Sequence, residues 1–153
     1  SSEIVLGINS EMGPIDPQLK INGLGMVPAE VVANDPTMQP SVQAMAKMAV
    51  ERMRKMAANY LAQGMLKGKT DAEIDAVVAQ LSSATSYGSH GAVIDSDEAK
   101  QLGLAATYLE PSDELWKRIW LLHCCYEHDA ALRNIGKFFE GSLYSLQRPA
   151  FKI

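Results

Sequence analysis

Apolar and polar positions alternate along this chain with a spacing that changes from block to block. Ile4 to Ile8 is apolar apart from Gly7 and is followed by Asn9, Ser10, Gly13 and Pro14. A short apolar run closed by turn residues predicts a buried strand over 3–8. From Met12 to Pro40 the chain carries Pro14, Pro17, Pro28, Pro36 and Pro40 with Gly13, Gly23 and Gly25. Such dense punctuation precludes a long helix, leaving loop with short ordered pieces and one helical turn around Pro28 to Val32.

Beyond Pro40 the period lengthens. Met45, Ala49, Met53, Met56 and Tyr60 step by three or four, with Lys47, Glu51, Arg54 and Lys55 largely on other faces. This predicts a helix over 41–63 that ends near Gly64. Its methionines fit an adaptable groove for a partner helix or unbranched core filler, and core filler is the reading adopted. Thr70-Asp71-Ala72-Glu73 has the capping-box spacing, and Ile74, Val77, Val78 and Leu81 continue it into a helix over 71–82. Ser82 to Gly91 has small polar residues without periodicity and reads as a loop, followed by an extended stretch at Ala92 to Ile94. Asp95 caps a helix over 96–102 that Gly103 closes before a strand over 104–109. Pro111-Ser112-Asp113-Glu114 opens a helix over 112–134, with Leu115, Ile119, Leu122 and Tyr126 on one face and Trp116, Trp120 and Leu121 widening it. That helix is expected to be widely buried. Phe138 to Ile153 is aromatic but unperiodic, and there is no internal repeat. The elements predict an α/β chain with more helix than strand.

With 153 residues and 47% apolar content the chain is long enough for a single domain with a core. Fourteen Lys and Arg against 18 Asp and Glu give a formal charge of −4, which argues against nucleic acid or an anionic membrane surface as partner. No apolar run approaches the roughly 20 residues that span a bilayer. Cys124 and Cys125 are neighbours on a predicted helix, so their side chains diverge and cannot bridge. They read as reduced core thiols in a cytoplasmic setting. The start, Ser1-Ser2-Glu3-Ile4-Val5, has no secretory leader and looks like a strand under way, as in a piece of a longer protein.

Chemistry concentrates at few positions. His90 lies among Gly88, Ser89 and Gly91, where small neighbours let an imidazole approach other groups as a general base; the plain alternative is a solvated loop histidine. Asp16 sits in Gly13-Pro14-Ile15-Asp16-Pro17-Gln18, where two prolines fix the direction of a carboxylate able to orient an imidazole. Its plain alternative is a turn aspartate bonded to nearby backbone. His123, Cys124 and His128 cannot all face one way on a helix, so no metal is assigned. No glycine-rich phosphate loop occurs and no cofactor is expected.

Ser2-Glu3-Ile4-Val5-Leu6 followed by Glu11-Met12-Gly13-Pro14-Ile15-Asp16-Pro17-Gln18 resembles the stretch just after the nucleophile in the serine dehydrogenase proteinase family. These serine peptidases of the Clp/crotonase fold are related to signal peptide peptidase A. The later order is similar too: a long helix, Lys67-Gly68-Lys69-Thr70 and a short helix, Ser89-His90-Gly91-Ala92-Val93-Ile94, then Glu98-Ala99-Lys100-Gln101-Leu102-Gly103-Leu104. The likeness covers residues 1 to about 109, and the helix with Trp116 and Trp120 carries no diagnostic motif.

The resemblance implies the helix-rich C-terminal portion of a Clp/crotonase-like fold with a few core strands. It divides into a strand and Pro/Gly-rich loop (1–40), a helical and βα region (41–109) and a C-terminal helix and tail (110–153). It implies a triad in the order Ser, Asp, His, with Asp16 as orienting acid, His90 as base and the serine in a segment before residue 1. Without that serine this chain is expected to be inactive alone. Related peptidases use a Ser-Lys dyad, but no lysine lies between Ile21 and Ala46, which leaves Lys20 as the nearby substitute. The implied partners are a peptide or protein substrate and further copies of the chain. A non-catalytic oligomerisation or partner-binding module of the same fold is the alternative.

Overall fold

The computed structural model describes residues 1–83, 87 and 91–149. The chain divides into two compact units, Ser1–Tyr108 and Leu109–Ile153.

In the first unit, strand β1 (Ile4–Gly7) pairs with β4 (Ala106–Leu109), whose last residue begins the second unit. The Pro/Gly-rich stretch is more ordered than its composition implied. Strands β2 (Gln18–Ile21) and β3 (Gly25–Pro28) form an antiparallel hairpin with Gln18 opposite Pro28 and Ile21 opposite Gly25. Gly23 makes the turn at a φ of 84°, which a side chain would resist. Helix α1 (Ala29–Asn34) starts directly after Pro28, and α2 (Pro40–Gln63) runs unbroken.

Helix α2 turns a different face inward from the one its methionines mark. Ala46 is fully buried against Ala29, Val32 and Ala33 of α1, with Val42, Ala49 and Val50 beside it. Met45, Met48, Met56 and Tyr60 are exposed, Met48 at 64%. The core-filler reading therefore fails for Met45, Met48 and Met56. The alanines let α1 approach closely, and a close helix contact excludes long side chains.

Helix α3 (Asp71–Leu81) begins with the expected reciprocal cap. The Glu73 amide donates to Thr70 Oγ at 3.3 Å, and the Thr70 amide donates to Glu73 Oε2 at 2.8 Å. Ile74 and Val78 pack with Leu66 against Ala57, Ala58 and Leu61 of α2. Helix α4 (Ser96–Gln101) is capped by Asp95, whose carboxylate accepts from the Asp97 and Glu98 amides at 2.9 Å. It stops in a Schellman turn, with the Gly103 amide on Lys100 O and the Leu104 amide on Ala99 O. Leu81, Ile94, Ala99 and Leu104 make a third buried cluster, joined by Ile4, Met12, Ile15 and Tyr87.

The second unit holds α5 (Glu114–Arg133) and an antiparallel hairpin of β5 (Ile135–Glu140) and β6 (Ser145–Pro149). Asn134 joins helix to strand at a φ of 53°. Most of the hairpin falls in the stretch from Phe138 that carries no periodicity, and an irregularity between Ile135 and Lys137, just before that stretch, shifts its register. Its Phe138 ring packs 5.6 Å from Tyr126 of α5.

The expected wide burial of α5 is not found. Trp116 is buried and stacks on Trp120 at 6.1 Å, but Leu115, Ile119, Leu121 and Leu122 are exposed. Cys124 and Cys125 are exposed free thiols, which corrects their reading as core residues. One hairpin covers only part of a 20-residue helix. Among the described residues no helix is long and apolar enough to cross a membrane.

Candidate functional site

Asp16 lies in the connection between β1 and β2, half-buried and outside regular structure. Its carboxylate accepts a hydrogen bond from the Gln18 side-chain amide through Oδ2. The backbone on both sides is fastened. The Ile15 amide donates to the carbonyl of Leu81, the last residue of α3, at 2.8 Å. The Pro17 carbonyl accepts from the amide of Ala29, the first residue of α1, at 2.7 Å. Pro14 and Pro17 restrict φ locally, and these two bonds fix the loop against two helices.

His90 lies outside the described residues. The described chain on either side of it does meet the Asp16 loop. On one side is the Leu81 carbonyl that holds Ile15. On the other, Ile94 forms an antiparallel bridge to Met12, with its amide donating to Met12 O at 2.8 Å and its carbonyl accepting from the Met12 amide at 3.4 Å. Tyr87, between the two, packs on the cluster that contains Met12, Ile15, Leu81 and Ile94. Burial raises the Tyr87 phenol above its ordinary pKa, and the nearby charge of Glu98 pushes the same way.

Lys20 is exposed on β2, in register with Met26. His123 rests on the Trp120 ring at 5.2 Å, and His128 lies 3.9 Å from Asp129, both histidines on exposed stretches of α5. Among the described residues no three of His, Cys, Asp or Glu converge as metal ligands.

A groove of about 740 Å³ runs between α1, α2 and α3, with Ala33, Val50 and Val78 among its apolar walls and Lys47, Glu51 and Asp75 among its charges. Arg54 lines it and reaches both outer helices. Its Nη2 lies 3.0 Å from Glu30 Oε1 of α1, and its Nε donates to Ser82 Oγ at 2.7 Å, just beyond α3. Ser82 is 7% exposed, a buried polar residue whose hydroxyl is thereby partnered. The sequence pattern marks Arg54 only as one of the charges largely off the apolar face of a helix, because its partners are far away along the chain.

Comparison of the chain with protein-family models, with curated proteins and with solved structures gives no match.

Proposed function

We propose that the chain is the C-terminal part of a serine peptidase of the Clp/crotonase fold, in which Asp16 orients His90 and a serine from a segment preceding Ser1 is the nucleophile. The observation that carries this reading is the joining of the Asp16 loop, at Ile15 and Met12, to Leu81 and Ile94 on the two sides of His90 in the chain. Three residues lie between His90 and Ile94, and the four steps from one to the other reach at most about 14 Å along extended chain. The resemblance of Gly13-Pro14-Ile15-Asp16-Pro17-Gln18 to the family supports the same assignment.

In the proposed reaction the serine oxygen bonds to the substrate carbonyl carbon while its proton passes to His90. His90 then gives that proton to the leaving amine as the C–N bond breaks. Water, deprotonated by the same imidazole, releases the acyl group and restores the serine. Asp16 holds the ring in the required tautomer and stabilises its protonated form. The proposed substrate is a peptide or protein and the proposed setting is the cytoplasm. Further copies of the chain are the proposed partners.

The test is a full-length protein that includes the segment before Ser1. It should label with a fluorophosphonate and lose peptidase activity on His90→Ala or Asp16→Asn while staying folded, whereas residues 1–153 alone should not label. A folded His90→Ala protein of normal activity assigns the base elsewhere and reopens the lysine dyad. The non-catalytic alternative draws on the exposed Met45, Met48 and Met56 of α2 and Leu115, Ile119 and Leu122 of α5. An inert residue in place of the nucleophile would favour it.

A further inference from the structure

Two helices hold the Asp16 loop, and one side chain ties those helices together at the same places. Ala29, whose amide binds the Pro17 carbonyl, is followed by Glu30, which accepts from Arg54 Nη2 at 3.0 Å. Leu81, whose carbonyl binds the Ile15 amide, is followed by Ser82, whose hydroxyl accepts from Arg54 Nε at 2.7 Å. The Ser82 carbonyl accepts a longer bond from Arg54 Nη2 at 3.5 Å. The guanidinium thus spans the residues adjacent to both attachment points of the loop.

We infer that Arg54 is a positioning residue for Asp16, setting the separation of α1 and α3 and through it the placement of the loop that hangs between them. The catalytic meaning of this placement rests on the peptidase reading above; the mechanical claim does not. The ion pair to Glu30 adds little stability by itself, because the Arg54 and Glu30 side chains are 39% and 28% exposed and solvent screens them. Its value is geometric. A planar guanidinium offers donors in fixed and different directions, so one group can satisfy Glu30 and Ser82 together, whereas an ammonium is a point charge on a flexible stem. Loss of Arg54 leaves the buried Ser82 without its charged donor and removes this link between α1 and α3.

The experiment compares amide hydrogen exchange in the full 153-residue chain, unsubstituted and as Arg54→Met, Arg54→Lys and Ser82→Ala. The reporters are the amides of Ile15 and Ala29. The control is the amide of Leu66, which donates to Leu61 O at 2.8 Å and belongs neither to the Asp16 loop nor to its two attachment points. Arg54→Met should speed exchange at both reporters by about tenfold or more and leave Leu66 unchanged. Arg54→Lys should fall between, and Ser82→Ala should speed Ile15 more than Ala29. Unchanged reporters in a folded variant, or an equal rise at all three amides, overturns the inference. Should Arg54→Met not fold, Arg54→Lys and Ser82→Ala decide it by the same criteria. In the nucleophile-bearing protein, Arg54→Met should lower kcat with KM unchanged and Arg54→Lys should restore part of it. Faster exchange with unaltered kcat would refute a catalytic role for the positioning. An unsubstituted protein without peptidase activity would refute the peptidase reading and leave the exchange result standing.

Discussion

The main-chain amide of Ile15 donates to the carbonyl of Leu81 at 2.8 Å, fastening the loop that carries Asp16 to the end of α3. Both side chains enter the same cluster, with Leu81 buried beside Ile94 and Leu104. Leu81→Ala removes packing atoms from a site closed on several sides and should cost about 3 kcal/mol. Urea unfolding checks the magnitude. In the same variant the Ile15 amide should exchange faster than amides of the β2–β3 hairpin, because the helix end that holds it has lost its anchor.

The cap of α3 makes acid stability depend on Glu73. The Thr70 amide, then the Lys69 ammonium and the Thr70 hydroxyl, hold its carboxyl at about 2 against an ordinary 4.5. A depressed folded-state pKa gives a contribution fully present above about 4.5 and lost as pH falls through about 2. Carboxyl NMR titration should find the Glu73 midpoint near 2. Glu73→Gln should remove this part of the acid-side slope, and a midpoint near 4.5 would mean that the reciprocal cap is absent in solution.

Elements with a local cause were legible in the sequence, and contacts between distant segments were not. Thr70 and Glu73 announce α3, and Asp95 and Gly103 bound α4, because caps involve residues a few positions apart. The inward face of α2 was misread because alanine and methionine both count as apolar in a periodicity, while only alanine fits where α1 comes close to Ala46. Asp16 stood out by its flanking prolines. Arg54 did not, since nothing near it in sequence signals that Glu30 and Ser82 will converge on its guanidinium.

The exposure of Cys124 and Cys125 has a direct chemical consequence. Both thiols should react with a maleimide or with Ellman's reagent in the folded protein, without denaturant, giving two equivalents per chain in a native titration. Reaction of only one, or of neither until the chain is unfolded, would mean that this part of α5 is covered in solution.

Gly103 takes a φ of 82° at the end of α4, and a Cβ there would meet only Val77 at an ordinary 3.9 Å. Substitution is therefore limited by backbone rather than by space. Gly103→Ala should cost about 1–2 kcal/mol for the left-handed conformation, and Gly103→Asn clearly less, because asparagine tolerates that region. Chemical denaturation of the pair separates the two effects: equal losses would point to crowding at Val77 instead.

Tyr87 gives a spectroscopic view of the core that the Asp16 loop shares. Its phenol is raised above 10.0 by burial first and by the Glu98 carboxylate second, so the fold favours the neutral form. A raised folded-state pKa means that the linked stability is complete below the unfolded value near 10.0 and is lost as pH rises through the folded one. Ultraviolet titration should show a tyrosine component ionising above 10.0, and Tyr87→Phe should remove it. Glu98→Gln should lower its midpoint only part of the way, because the larger cause is burial among Leu81, Ile94 and their neighbours. A complete return to the ordinary value on Glu98→Gln would mean that Tyr87 is not packed on that cluster, and the link between the Asp16 loop and the chain around His90 would lose one of its three anchors.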